Sequence, residues 1–239
     1  MLILIICTGL FTAYSLLVLY YWYNWRAVPL TGLHTGTGLT NISVIIPARD
    51  EEKNIGQLLA ALKSQTYPAE LYEVIVVDDQ STDKTAEVVK SFAGVKLISL
   101  KEEGINSYKK KAIETGIAAA SGELIVTTDA DCVPGPEWLK MIAGYAADKN
   151  AVFITAPVAI VCNSSVLQLF QAMDFMVLQA ITGAVVYKKH LSMCNGANIA
   201  YLKKVFGEVN GFAGIDHIAS GDDMLLMHKI WKQHPDKVH

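Results

Sequence analysis

The residues best equipped for chemistry are carboxylates in three close pairs: Asp78-Asp79, Asp129-Ala-Asp131 and Asp222-Asp223. Unpaired carboxylates this close raise each other's pKa, so each pair needs a cation or a hydrogen-bonded turn. For Asp129 and Asp131 a divalent ion meets the need, because carboxylate oxygens suit hard ions such as Mg2+ or Mn2+. Mg2+ takes few protein ligands and fills its shell with phosphates and water, so a metal here predicts a phosphorylated ligand. The structural alternative is that Asp129 caps a turn and Asp131 is solvated. For Asp78 and Asp79 the alternative is a turn with a helix cap from Ser81 or Thr82; the functional reading lets Asp79 accept hydrogen bonds from a base or ribose. Asp222 and Asp223 precede Met224, Leu225, Leu226, Ile230 and Trp231, an apolar helical pattern. They read either as a helix start favoured by the dipole or as a general base facing the other acids. Asn195-Gly196-Ala197-Asn198 is small and polar, and would let a ligand approach the backbone. No glycine-rich phosphate loop of either common type occurs, so a phosphate would be held by metal and basic residues. The six histidines form no ligand set.

These acids follow greasy runs that read as strands. Residues 42–47 (ISVIIP), 72–79 (YEVIVVDD), 95–100 (VKLISL), 123–129 (ELIVTTD) and 151–160 (AVFITAPVAI) are short and β-rich. Between them lie helical patterns at 51–65, 81–93, 109–120 and 136–147. The alternation predicts βαβ units and a mostly parallel sheet with helices on both faces. Ligands bind outside the carboxyl ends of such strands. The first strand ends at Pro47-Ala48-Arg49-Asp50-Glu51, the second at Asp78-Asp79, the fourth at Asp129-Ala-Asp131, so three acidic groups should share one rim. If the fourth strand stays extended through its end, Asp129 and Asp131 point the same way. A further helix is expected over 164–181, with Val166, Leu169, Phe170, Met173, Met176 and Val177 on overlapping faces. It reads as core packing, or as an interfacial helix touching lipid.

The chain has 239 residues, of which 52% are hydrophobic and 18% charged, with formal net charge −3. This fits one globular domain plus a greasier segment. The basic residues are scattered, with Lys109-Lys110-Lys111 the one tight cluster, so nucleic-acid binding is not expected. Residues 1–25 carry no charged side chain, are long enough to span a bilayer, and end in Tyr20, Tyr21, Trp22, Tyr23 and Trp25. A cleaved signal peptide fits less well: a basic start and a clear cleavage site are lacking. The expected layout is a transmembrane anchor over 1–25, a Gly/Thr/Pro-rich linker over 26–40, and a catalytic domain over 41–239. Arg26, just after the span, favours a cytosolic domain. The four cysteines are far apart and suggest no disulfide framework.

In order along the chain, Pro47-Ala-Arg-Asp-Glu51, Val77-Asp-Asp-Gln-Ser-Thr-Asp83, the lysine-rich helix before Gly116, Asp129-Ala-Asp131 and Ser220-Gly-Asp-Asp223 resemble the family 2 glycosyltransferases. The resemblance covers about residues 42 to 232 and implies the GT-A fold. Within the family the chain looks like the catalytic part of the membrane cellulose, hyaluronan and poly-N-acetylglucosamine synthases. The resemblance implies that Pro47, Ala48 and Glu51 line the nucleotide pocket. It implies that Asp79 contacts base or ribose, with Asp78 beside it, and that Lys109 lies near the nucleotide. Asp129 resembles the ribose- or metal-facing member of the D-x-D pair and Asp131 the direct metal ligand. Asp223 looks like the catalytic base, with Asp222 supporting it, and Asn195, Gly196 and Asn198 fall on the acceptor side. The family's lysine helix usually reads G-K-x-x-A-[LI]-N-x-G; here Tyr108 replaces the first glycine and Glu114 the asparagine. No Q-x-x-R-W motif follows Asp223 before the chain stops at His239, so a catalytic domain short at its C-terminus is expected.

The function implied is inverting, Mg2+- or Mn2+-dependent transfer of a sugar from a nucleotide-sugar, expected to be a UDP-sugar, to a hydroxyl of a lipid-linked or polysaccharide acceptor. One alternative is a sugar-phosphate nucleotidyltransferase, which should carry a Gly-rich basic loop where this chain has "PARDEEKN". Another is a membrane-tethered nucleotide-sugar binding module without turnover.

Overall fold

The computed structural model describes residues 1–28, 39–101, 107–162, 165–190 and 193–239. Most of the expected 26–40 linker therefore lies outside the described residues. Two compact units are present. One gathers α1 (Leu2–Ala27) and α6 (Val166–Tyr187); the other holds the sheet, its helices and the acidic residues.

The larger unit is built on β1 (Ile42–Ala48), β2 (Tyr72–Asp78), β3 (Val95–Ser99), β4 (Leu124–Thr127), β5 (Phe153–Thr155) and β6 (Ile199–Leu202). Their order across the sheet is β3-β2-β1-β4-β6-β5. The first four are parallel, and β6 runs antiparallel between β4 and β5. The expected α/β architecture thus holds, with one reversed strand. Side-chain alternation divides the sheet into two faces. Ile42, Val44, Ile46, Val74, Val76, Leu124 and Val126 pack with α2 (Ile55–Lys63), with Val89 of α3 (Thr85–Lys90), and with Leu139, Ile142 and Ala143 of α5 (Trp138–Lys149). The opposite face receives α4 (Tyr108–Ala119), whose Gly116 lies against Ile45 and Val77. Helices therefore cover both faces. Two further helices, α7 (Lys203–Glu208) and α8 (Asp222–Gln233), follow β6.

Several sequence expectations need correction. The fifth strand spans only 153–155, not 151–160. Ala156 N–H still bonds the Asn198 carbonyl, but Pro157 has no N–H to continue the ladder. Strand β6 was not anticipated; its four residues directly follow the small polar stretch Asn195–Asn198. The fourth strand stops at Thr127, and Cys132 N–H bonds the Asp129 carbonyl across a turn. Pleat alternation therefore does not orient Asp129 and Asp131. Neither Ser81 nor Thr82 caps α3. Asp83 accepts from the Thr85 N–H at 2.9 Å, while Ser81 and Thr82 pair with Asp50.

In the smaller unit, α1 and α6 pack on each other, with Trp25 against Gly183. Both helices are long and apolar enough to cross a membrane. Along α6, Val166, Leu169, Phe170, Met173, Met176 and Val177 are all more than half exposed, which overturns core packing for that face.

The close approach of α4 to the sheet depends on Gly116. A Cβ there would lie 2.5 Å from Ile45 Cγ2 and 3.2 Å from Val77 Cγ2. Gly116→Ala should destabilise the fold by about 1–3 kcal/mol through overpacking. Thermal melting of the two proteins checks this; a drop of roughly 2–4 °C per kcal/mol is expected.

Candidate functional site

Adjacency of β2, β1 and β4 brings their carboxyl ends to one edge, as the rim argument requires. There the larger unit has a cleft of about 260 Å³ lined by Pro47, Ala48, Arg49, Glu51, Asp79, Lys109, Ala112, Asp129, Ala130 and Asp131. Seven of these residues were singled out as donor-pocket or metal residues from sequence, and Arg49 lay within the first-strand motif. Asp78 is not among them. It is buried at the base of the β2 end, where its Oδ1 accepts from Ser81 N–H at 3.3 Å. Its part is to shape the turn that presents Asp79.

The first two strand ends are stapled together by polar contacts. Asp79 N–H bonds the Ala48 carbonyl at 2.8 Å, Asp50 N–H donates to Ser81 Oγ at 3.0 Å, and Glu51 N–H donates to Thr85 Oγ1 at 2.7 Å. Asp79 is only 7% exposed. Its Oδ2 faces Arg49 at 3.4 Å, and its buried Oδ1 has no hydrogen-bond partner. A buried carboxylate oxygen without a donor is costly, and a ligand N–H or O–H would satisfy it. Tyr108, which stands where the family motif has glycine, lies under the Arg49 guanidinium at 5.8 Å from the ring centre. The ring thus backs the cation that holds Asp79.

Lys109 supplies the positive partner for the acids. Its Nζ donates to Asp129 Oδ1 at 2.7 Å. Burial alone would lower its pKa, yet Asp129, Asp222 and Asp223 together hold it above the ordinary lysine value. Three carboxylates from two separate segments therefore act on one ammonium, and Asp129 touches it directly. Sequence placed Lys109 near the nucleotide but missed this ion pair.

Asp222 and Asp223 open α8. Asp223 Oδ2 accepts from Gly196 N–H at 2.8 Å and its Oδ1 from Met224 N–H at 2.6 Å, so two backbone donors fix the carboxylate. Both carboxylates lie over Gly196: a Cβ there would stand 3.4 Å from Asp223 Oδ2 and 3.6 Å from Asp222 Oδ2. Burial pushes the Asp222 pKa above the ordinary aspartate value; Lys109 opposes this, and Asp223 and Asp129 reinforce it. Burial likewise pushes the neighbouring Cys194 thiol well above its ordinary value, which makes it a poor nucleophile.

Of the small polar residues read as acceptor-side, each has a structural task. Asn195 Oδ1 accepts from Ala197 N–H, Asn198 Oδ1 from Trp138 Nε1, and Gly196 holds Asp223 and accepts at its carbonyl from Thr127 Oγ1. Only Gly196 thereby touches a candidate catalytic group directly. Glu114, the second departure from the family pattern, accepts from Phe212 N–H at 3.4 Å.

Among the described residues, no three His, Cys, Asp or Glu side chains form a metal site by themselves. Asp131 is exposed at the cleft and Asp129 lies beside it. Two carboxylates and an open side fit an ion that takes most of its ligands from phosphate and water.

Residues 43–209 match the profile of the family described as Glycosyl transferase family 2. The mannosyltransferase PcManGT of Pyrobaculum calidifontis, solved with GDP-mannose and Mn2+, superposes with a TM-score of 0.69. It is 25% identical, over 89% of this chain and 59% of that one. TarS 1–349 of Staphylococcus aureus, solved with UDP-GlcNAc, shares the fold with a TM-score of 0.57 at 22% identity, over 80% of this chain and 53% of that one. In sequence, the glycosyltransferase AglE of Haloferax volcanii is 40% identical over 102 residues, 41% of this chain and 33% of that protein. The undecaprenyl-phosphate 4-deoxy-4-formamido-L-arabinose transferase of Proteus mirabilis is 32% identical over 117 residues, 46% of this chain and 35% of that protein. The chain thus spans about a third of the length of these two relatives. A sheet order that gathers the acids at one cleft, and a profile match over most of the larger unit, carry the conclusion that this chain is a glycosyltransferase of family 2 with the GT-A fold.

Proposed function

We propose that the chain is a membrane-anchored, metal-dependent, inverting transferase that moves a sugar from a nucleotide-sugar, a UDP-sugar first among them, to a hydroxyl of a lipid-linked or glycan acceptor. The observation that carries the reading is the 2.7 Å Lys109–Asp129 ion pair beside a cleft whose buried Asp79 Oδ1 lacks a donor. Asp79 receives a hydrogen from the base or ribose, and Pro47, Ala48 and Glu51 wall the nucleoside. Asp131 and Asp129 would hold Mg2+ or Mn2+, which would supply positive charge to offset that on the departing diphosphate. Lys109 adds a second positive charge on the same side.

Asp223 is the base. Its carboxylate takes the acceptor hydroxyl proton as that oxygen forms its bond to the anomeric carbon. The bond from that carbon to the diphosphate oxygen breaks, and its electron pair leaves with the nucleoside diphosphate. Gly196 and Met224 N–H groups keep the base aimed, leaving lone pairs for the proton. Asp222 tunes the field around Asp223. The relatives named above include one whose name gives an undecaprenyl-phosphate acceptor, and a solved neighbour bound to GDP-mannose, so the donor base and the acceptor lipid are assigned by class. Residues 1–25 anchor the chain, the exposed apolar face of α6 rests in the same lipid, and Arg26 keeps the catalytic unit cytosolic.

Three outcomes test the reading. Calorimetry on the full chain in detergent should show UDP or GDP binding that needs Mn2+. Chelator or Asp131→Asn should weaken it by roughly tenfold or more, the scale of a lost charge-assisted contact. Equal binding with and without metal would remove the ion from the site.

Asp223→Asn should lower kcat by about 10²–10⁴-fold while nucleotide affinity stays near that of the parent, the range for loss of a general base. Steady-state rates of nucleoside diphosphate release, alongside the calorimetry, separate the two effects.

Asp222 gives a signed pH effect. Its folded pKa is raised, so the folded protein holds this proton more tightly than the unfolded chain. The resulting stabilisation is present below the ordinary aspartate pKa and is lost as pH rises through the raised value. Thermal melts of metal-free protein should therefore show the parent losing stability relative to Asp222→Asn across that window. Parallel curves would contradict the assignment.

A further inference from the structure

Lys110 is among the largest fully buried side chains, at 2% exposure, in a triplet that sequence presents as three equivalent surface lysines. Successive helical residues are turned by about 100°, so Lys109, Lys110 and Lys111 face different surroundings. Lys109 reaches Asp129, whereas Lys110 Nζ donates to the Ile218 carbonyl and, at 2.9 Å, to the Ser220 carbonyl. Ser107 Oγ, one residue before α4, donates to the Ala219 carbonyl at 3.2 Å. Three consecutive carbonyls are thus held by side chains from the start of one helix.

The segment they hold has little other support. Ile218, Ala219 and Ser220 are exposed, and the next residue, Gly221, has φ +71, a conformation that favours glycine. Immediately after come Asp222 and Asp223. The other end of the same connection is held by Lys229 of α8, whose Nζ donates to the Gly211 and Ala213 carbonyls. A buried ammonium costs free energy unless its donors are satisfied. Here backbone carbonyls satisfy it, and the bonds fix the direction in which the chain enters α8.

We infer that Lys110 is a positioning residue: it clamps residues 218–220 to α4 so that Asp223 meets Gly196 and stands at the donor cleft. The inference rests on the reading that Asp223 activates the acceptor. It couples the two halves of the site, because adjacent residues of α4 hold the donor-side Asp129 and the approach to the base.

The test is hydrogen exchange on the full chain in detergent micelles, with Lys110→Met, Lys110→Arg and Ser107→Ala. Lys110→Met should speed exchange roughly tenfold in peptides covering 218–226. It should do the same at the Gly196 amide, which bonds Asp223 and not Lys110, while β1 and α5 keep their protection, since local opening need not spread to the core. Lys110→Arg, which keeps the donors, should restore most of the protection. Ser107→Ala should move the same peptides by a smaller factor. It serves as the test if Lys110→Met loosens β1 and α5 as well. In nucleoside diphosphate release from UDP-GlcNAc and GDP-mannose, Lys110→Met should lower kcat by about 10–100-fold with little change in donor KM, as misplacement of an aligned group does. Faster exchange at 218–226 with an unchanged Gly196 amide would overturn the inference, leaving Lys110 a structural lysine. Unchanged exchange at both would do so too. If Asp223→Asn retained full turnover while Lys110→Met still freed Gly196, the catalytic reading of Asp223 would fail and the clamp would stand.

Discussion

The arrangement depends on the Lys109–Asp129 ion pair, whose ammonium also feels the charges of Asp222 and Asp223. Asp129, Asp222 and Asp223 would repel one another, and Lys109 offsets that repulsion. The pair itself is partly solvated, with 40% and 36% of the two side chains exposed. At that exposure an ion pair adds little to stability. Its importance is positional, since it joins α4 to the turn that follows β4. A pair this open is also inexpensive to rearrange, which suits a site proposed to exchange one positive charge for a divalent ion and a diphosphate.

The sheet explains why two sides of the cleft differ in character. Around β1 and β2 the walls are backbone-defined: parallel ladders run to Ala48 and Asp78, and Asp50, Ser81 and Thr85 tie the loops together. Around Asp222 and Asp223 the walls hang on side chains, chiefly Lys109, Lys110 and Lys229 reaching across to other segments. The first kind is rigid because the parallel ladder fixes its frame and the loop ties add to it. The second can be altered one residue at a time, which suits a part of the site that would meet different acceptors.

Sequence revealed the first kind better than the second. The runs ending in Asp78-Asp79 and Thr128-Asp129 announce themselves because buried strands are continuously apolar and their ends are abruptly polar. Strand β6 escaped notice because Ile199–Leu202 is short, follows an Asn/Gly-rich turn, and runs antiparallel among parallel neighbours. The burial of Lys110 was not legible: composition cannot distinguish a lysine buried under carbonyls from a solvated one. Likewise, α6 is apolar on so many faces that its pattern fits either a core or lipid; the exposure of residues such as Phe170 and Met176 separates the two.

The two departures from the family's lysine helix acquire a common explanation in this geometry. Tyr108 supports Arg49, which faces Asp79; Glu114 accepts from Phe212, at the start of the connection that Lys110 and Lys229 hold. Each replacement adds a contact between α4 and a loop that borders the acids. A glycine at 108 would leave Arg49 without a ring beneath it, and Asp79 would then rely on a guanidinium that is largely exposed. In this chain, α4 has become the member that joins the nucleoside side, the D-x-D turn and the approach to the base. Its close placement is permitted by Gly116, where a side chain would meet Ile45 and Val77 of the sheet.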